Sequence, residues 1–170
     1  RYNTDMSVVK FKDLTKLRRK FSDKEIVFCS GVFDLTHAGH VLFFEDCKKL
    51  GDLLFVAVGN DKAIKQYKGD KRPILNEHLR LKMVYSLKPV DYVFLGDDKF
   101  DKKDNLKLIR DVFTSLRPDI YVFNTDGFNQ EGRILLSIKH GVQAKVLKRL
   151  APKKFEAIST TGIIEKIKKS

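Results

Sequence analysis

Five short apolar runs bounded by turn residues recur along the chain, and their alternation with helically patterned segments restricts the fold more than any other feature. Ile26–Cys29, Leu53–Val58, Tyr92–Leu95, Ile120–Phe123 and Ala144–Leu147 read as strands buried on both faces. Between them, Val41–Leu50 has a helical pattern. So do Leu79, Met83, Val84 and Leu87, and then Leu106, Ile109, Val112, Phe113 and Leu116, which recur by three and four. Strand alternating with helix implies βαβ crossovers. The expected fold is therefore α/β: a single Rossmann-like domain with an open parallel five-stranded sheet and helices on both faces. Phe11, Leu14 and Leu17 predict a helix covering an edge ahead of the first strand. Ile163, Ile164 and Ile167 predict a final helix that begins close to Ser159–Thr161. Residues 1–8 read as a tag or linker remnant, and 9–170 as the domain.

A chain of 170 residues suits one domain with a real core. Its longest run without Asp, Glu, Lys or Arg is Leu35–Phe44, ten residues that include two histidines. A membrane span needs roughly 18 apolar residues, and RYNTDMSVVK lacks the apolar core of a signal peptide, so a cytoplasmic location is expected. Cys29 and Cys47 lie in apolar surroundings and read as small core residues of a reducing compartment. With no CxxC or His/Cys cluster, no protein-held metal site is expected. Thirty-four basic against 22 acidic residues leave a net charge of +12, and Lys145–Ser170 alone holds +6 (eight basic, two acidic). Such a bias is either a solvated lysine-rich surface or an attraction for polyanions, which a nucleotide satisfies as well as a nucleic acid.

An open parallel sheet takes its ligand where strands end and helices begin, near the point where strand order reverses. Neither G-x-G-x-x-G nor G-x-x-x-x-G-K-[ST] follows the first strand, which disfavours a dinucleotide dehydrogenase and a P-loop NTPase. The first strand instead runs into Ser30-Gly31-Val32-Phe33-Asp34-Leu35-Thr36-His37-Ala38-Gly39-His40. Its second histidine opens a helical pattern, and Gly39 lets a ligand approach the backbone. A helix N-terminus offers unpaired amides to phosphate, and two imidazoles there add side-chain donors.

GVFDLTHAGH resembles the G-x-F-D-x-x-H-x-G-H signature of the cytidylyltransferase-like nucleotidyltransferases, of the HxGH superfamily. The stretch from Phe11 through YKGDKRPI resembles the nucleotidyltransferase domain of bacterial ADP-heptose synthases. KFEAISTTGII resembles the R-T-E-G-I-S-T-T motif of glycerol-3-phosphate cytidylyltransferases. The likeness implies that His37 and His40 contact the nucleotide phosphates and stabilise the transition state. It places the backbone of Gly31, Val32 and Phe33, with Gly39, along the nucleotide. Lys68 and Arg72 fall where the family sets basic residues over the triphosphate and the incoming phosphate. Arg80 has the spacing of a helix arginine that reaches the substrate, and Lys154 joins Arg72 and Arg80 at the substrate phosphate. Ser159, Thr160 and Thr161 match the segment whose hydroxyls and helix start hold the β- and γ-phosphates. Asp126 belongs to the loop near base and substrate, and Asp34 is expected to fix its own loop. A homodimer is expected.

The implied reaction is transfer of CMP or AMP from CTP or ATP to a phosphorylated sugar, polyol or similar small molecule, with release of pyrophosphate. An acceptor phosphate is already ionised at neutral pH, so the site must supply in-line positioning and cationic donors rather than a base. A magnesium ion is expected on the triphosphate. Lys154 stands where the cytidylyltransferase motif has arginine, Ala157 where it has glycine, and Asn124 where relatives usually have glycine. An ADP-heptose-synthase-like adenylyl transfer to a sugar 1-phosphate is the close alternative. The rival class is a non-catalytic nucleotide sensor or RNA-binding module, for which Phe155 is the one aromatic beside the basic tail; nucleic acid and membrane partners are not expected. Asp97, Asp98, Asp101 and Asp104 read as a solvated loop, His78 as a surface residue and His140 as a cationic helix end.

Overall fold

The computed structural model describes residues 8–96, 104–125, 127–148 and 159–170. The five expected runs form five parallel strands: β1 (Ile26–Gly31), β2 (Leu53–Val58), β3 (Tyr92–Leu95), β4 (Ile120–Asn124) and β5 (Gln143–Leu147). Their order is β3-β2-β1-β4-β5, so the chain steps outward from β1 to β3 and then crosses back to the far side of β1. The reversal point therefore lies between β1 and β4, where Val27 pairs with Ile120 and Cys29 with Val122.

Two cores flank the sheet, because successive strand residues point to opposite faces. Phe28, Phe55, Phe94, Tyr121 and Phe123 meet α1 (Leu14–Lys20), α5 (Lys107–Ser115) and α6 (Gln130–His140) on one face. Val27, Cys29, Val56, Val93 and Val122 meet α2 (Ala38–Lys48) and α4 (Glu77–Tyr85) on the other. The remaining helices are α3 (Asp61–Lys68) and α7 (Thr160–Lys169). At the N-terminal edge of the sheet, the Asp119 carboxylate accepts from Ile26 N at 2.7 Å and from both Nη atoms of Arg18. Asp91 does the same for Leu54 N and Lys48 Nζ. These pairs anchor the strand starts and leave the opposite edge to ligands.

Two sequence expectations about buried faces need correction, and one helix was not anticipated. The β5 strand is an edge strand with exposed Gln143, Lys145 and Val146, not a doubly buried one, because only β4 pairs with it. The α4 helix turns its Arg80–Val84 face inward, and Leu79 and Met83 are about half exposed. The helix α3 has no apolar pattern to announce it, since Ile64 is its one buried residue. Ahead of α1, Val8 bridges to Val93 and Phe11 packs edge-on against Phe94, so the β3 edge is covered by the chain before the expected helix rather than by the helix itself.

Both cysteines are free and fully buried, and burial pushes the Cys29 thiol well above its ordinary range. A buried, protonated thiol is a poor nucleophile. Native protein is therefore expected to resist iodoacetamide at neutral pH, with both thiols alkylated only after denaturation. Rapid native labelling of either one would contradict the burial.

Candidate active site

The site is built on the loop between β1 and α2. Asp34 is buried, and its carboxylate accepts from Ile74 N at 2.8 Å and Leu75 N at 3.0 Å while Arg72 Nη2 lies 3.3 Å away. It therefore fixes its loop against the segment before α4, as expected. Phe33 and Leu35 have φ of 52° and 45°, the left-handed region that ordinary side chains disfavour. The Phe33 ring is locked in place by Phe44, 4.9 Å between centroids, and by Gly31. A Cβ at Gly31 would come within 2.7 Å of that ring, so glycine is required there. The Phe33 side chain thus belongs to the core, and only its backbone is available to a ligand.

The two histidines cap α2 reciprocally. His37 Nδ1 accepts from Gly39 N at 3.1 Å, and His40 Nδ1 accepts from His37 N at 3.4 Å. Their rings stack with centroids 3.9 Å apart. Because each Nδ1 is an acceptor, each neutral imidazole carries its proton on Nε2. The pair therefore places N–H donors at the positive end of a helix, with His37 Nε2 itself buried, a setting for an anion.

The C-terminal motif reaches this loop from far along the chain. Thr160 Oγ1 donates to Asp34 O at 2.8 Å, across 126 positions. Ser159 caps α7 by accepting from Gly162 N at 3.1 Å, and Thr161 is exposed at the helix start. Asn60 and Asn129 cap α3 and α6 in the same way, so helices beginning at this edge of the sheet are fixed at their first turns. Thr160→Val keeps the shape and removes the bond. It is expected to cost about 0.5–1.5 kcal/mol and to speed amide exchange at Ile163 and its neighbours. Unchanged exchange would show that the link does not hold α7 in place.

The basic residues separate into different roles. Lys68 is exposed at the end of α3, with its Nζ 5.9 Å from the Tyr67 ring centroid. Arg72 leans on Asp34, and its guanidinium reaches the histidine loop. Arg80 departs from expectation: it is fully buried and does not extend into the crevice. Its Nε donates to Leu75 O at 2.9 Å, Nη1 to Val32 O at 2.7 Å, and Nη2 to Gly59 O at 2.7 Å and Asp61 Oδ1 at 2.6 Å. Three carbonyls that end or flank the ligand-side loops need donors once buried, and one guanidinium satisfies them together. Arg80 is thus a positioning residue for these loops.

Lys154 and Asp126 lie outside the described residues, as do Asp97, Asp98 and Asp101. Asp104 pairs with Arg110, which holds its carboxyl below the usual carboxylate range. His78 lies on α4, and His140 ends α6 before Gly141, with its ring 5.7 Å from that of Phe113. Sequence reasoning missed Arg133, near the start of α6 at the far side of the β1/β4 reversal point. Its guanidinium carbon lies 4.1 Å from the Phe128 ring centroid and 5.2 Å from that of Phe123. No local motif marks it.

A switch-point crevice with paired histidines at one helix start and hydroxyls at another defines a nucleotidyltransferase-type α/β domain. The chain belongs to the cytidylyltransferase-like family, whose profile matches residues 28–166. It is 37% identical over 162 residues to the bifunctional protein HldE of Helicobacter pylori strain P12, covering 95% of this chain and 32% of that protein. The corresponding protein of Campylobacter jejuni subsp. doylei is 37% identical over 91% of this chain and 30% of its own length. The chain thus spans about a third of these curated relatives. Among solved structures, a lipopolysaccharide core biosynthesis protein from Thermoplasma volcanium matches with TM-score 0.55 and 31% identity, over 74% of this chain and 95% of that one. A pantoate-beta-alanine ligase from Francisella tularensis shares the fold, with TM-score 0.63 and 14% identity over 96% of this chain and 77% of that one. No helix among the described residues is long and apolar enough to cross a membrane.

Proposed function

We propose that this domain transfers a nucleoside monophosphate from CTP or ATP to a phosphorylated small molecule. An acceptor phosphate oxygen attacks the α-phosphorus; the new O–P bond forms as the bond to the β-phosphate oxygen breaks, and pyrophosphate leaves. The observation that carries this reading is the Thr160–Asp34 hydrogen bond, which sets the Ser159–Thr161 helix start against the histidine loop. The α2 and α7 helix starts, the His37 and His40 Nε2–H donors and Arg72 are the groups this reading assigns to the phosphates. That set neutralises the charge that develops on the α-phosphoryl and pyrophosphate oxygens, with no need of a general base. Lys68, at the exposed rim, and Lys154 are proposed to meet the phosphates when substrates bind.

Among the described residues no group of three or more His, Cys, Asp or Glu side chains could hold a metal ion. The Asp34 carboxylate is already taken by two amides and Arg72. The donor set suits a magnesium ion carried by the triphosphate, where it would supply further charge neutralisation.

The resemblance to ADP-heptose synthases, through the Lys68-Gly69 and Arg72-Pro73-Ile74 block, supports a sugar 1-phosphate acceptor and ATP. The Thermoplasma relative's association with lipopolysaccharide core biosynthesis supports the same acceptor class. The KFEA segment favours CTP instead. Pyrophosphate release measured with each of the four nucleoside triphosphates, against heptose 1-phosphate and glycerol 3-phosphate, tests the proposal. Release that depends on both substrates is expected. Nucleotide binding without release under any pairing would favour the sensor or RNA-binding reading. The proposed active species is a homodimer, to be checked by light scattering.

A further inference from the structure

Arg80 and Arg133 are the two buried arginines among the described residues, and they are treated in opposite ways by the fold. The guanidinium of Arg80 is saturated by three carbonyls and Asp61. Arg133 is 5% exposed, yet its guanidinium makes no hydrogen bond or ion pair to any described residue, and its buried Nε has no acceptor. Withdrawing a cation from water without a partner anion is unfavourable, and ring contacts with Phe123 and Phe128 offset that cost only in part. An incoming anion removes that cost.

The position of Arg133 fits a ligand contact. It sits where β4 hands over to α6, beside the reversal point at which open α/β sheets take their ligands. The loop beside it is kept bare: a Cβ at Gly127 would lie 3.1 Å from Nη1 and 3.0 Å from Asn124 O. Tyr67, on α3, feels Arg80, Arg133 and Arg72 together, each drawing its hydroxyl down against the upward push of burial. Arg72 and Arg133 thus act on one shared region from different elements.

We propose that Arg133 is the anion anchor of the acceptor, binding a phosphate or carboxylate oxygen of the molecule that receives the nucleotidyl group. This assignment rests on the transferase reading. The triphosphate already has the α2 and α7 helix starts, the histidines and Arg72. Beside Lys68 and Lys154, proposed above for the phosphates, Arg133 adds a buried cation for the second substrate. A guanidinium packed on aromatic rings offers its N–H edge to two oxygens at once, which suits a planar or tetrahedral oxyanion better than a neutral group does.

The test compares the wild-type chain with Arg133→Met, which keeps the packing volume, and Arg133→Lys, which keeps the charge. Pyrophosphate release is measured with heptose 1-phosphate or glycerol 3-phosphate as acceptor, and calorimetry measures binding of each acceptor and of ATP and CTP. For Met, the acceptor Michaelis constant is expected to rise roughly tenfold or more, with the nucleotide value within about twofold and Lys intermediate. Active wild type with no acceptor effect in either variant overturns the anchor and leaves the transferase reading standing. A rise for the nucleotide in place of the acceptor also overturns it. If wild type releases no pyrophosphate with any pair, the transferase reading falls. Calorimetry then decides the anion site: acceptor binding weakened in the variants supports it, and equal or absent binding overturns it. Should the Met variant fail to fold, the Lys variant decides by the same comparisons.

Discussion

His37→Asn and His40→Ala are each expected to lose about 100–1000-fold in turnover, the usual cost of removing one preorganised donor from a charged transition state. Asparagine is chosen at position 37 because His37 caps α2 through Nδ1, and an asparagine carbonyl can still accept from the Gly39 amide. The substitution therefore removes the Nε2–H donor and keeps the helix start. Melting temperature should change little, while pyrophosphate release collapses. His37→Ala is expected to add a loss of about 0.5–2 kcal/mol in stability from the missing cap. Steady-state kinetics and thermal melts on all three proteins separate the roles. A variant that keeps more than a tenth of wild-type turnover would remove that histidine from the transition state.

Arg80→Ala is expected to damage the fold before it damages binding. The substitution leaves three part-buried carbonyls and the Asp61 carboxylate without their donor, and it opens a cavity between α4 and the ligand-side loops. Only the Arg80 side of its pair with Asp61 is fully buried, so the loss is expected to fall below the roughly 3–5 kcal/mol of a fully buried pair, yet to remain a large part of the stability of a small domain. Urea unfolding measures the loss directly. Where enough folded protein remains, nucleotide and acceptor constants should deteriorate together, because the Val32 and Gly59 loops relax together. A stable Arg80→Ala protein with a selective acceptor defect would instead restore the direct substrate contact.

The strands were legible because a doubly buried parallel strand must be apolar throughout, and β1, β2 and β3 lie within two residues of their expected bounds. The edge strand β5 was legible as a strand but not in its exposure, since strand order is not written in any local pattern. The face of α4 was misread for a related reason. Leu79 and Met83 satisfy helical spacing as well as Arg80 and Val84 do, and only tertiary carbonyls favour the arginine inside. The histidine loop and the Ser159–Thr161 segment were visible because their residue types are unusual at a strand-to-helix junction. Arg133 was invisible: a lone arginine in the polar first turn of a helix looks like surface until the aromatic rings of β4 and its loop close around it.

The hydrogen bond from Thr160 to Asp34 also sets a timetable for biosynthesis. The histidine loop is made early, but its closing partner follows 126 positions later. At about 5–20 residues per second, the loop waits roughly 6–25 s on the ribosome before that partner is made. During that interval β2 to β5 are made while the histidine loop still lacks its α7 partner. The α7 side of the site is thus the last part to be made, after every strand of the sheet.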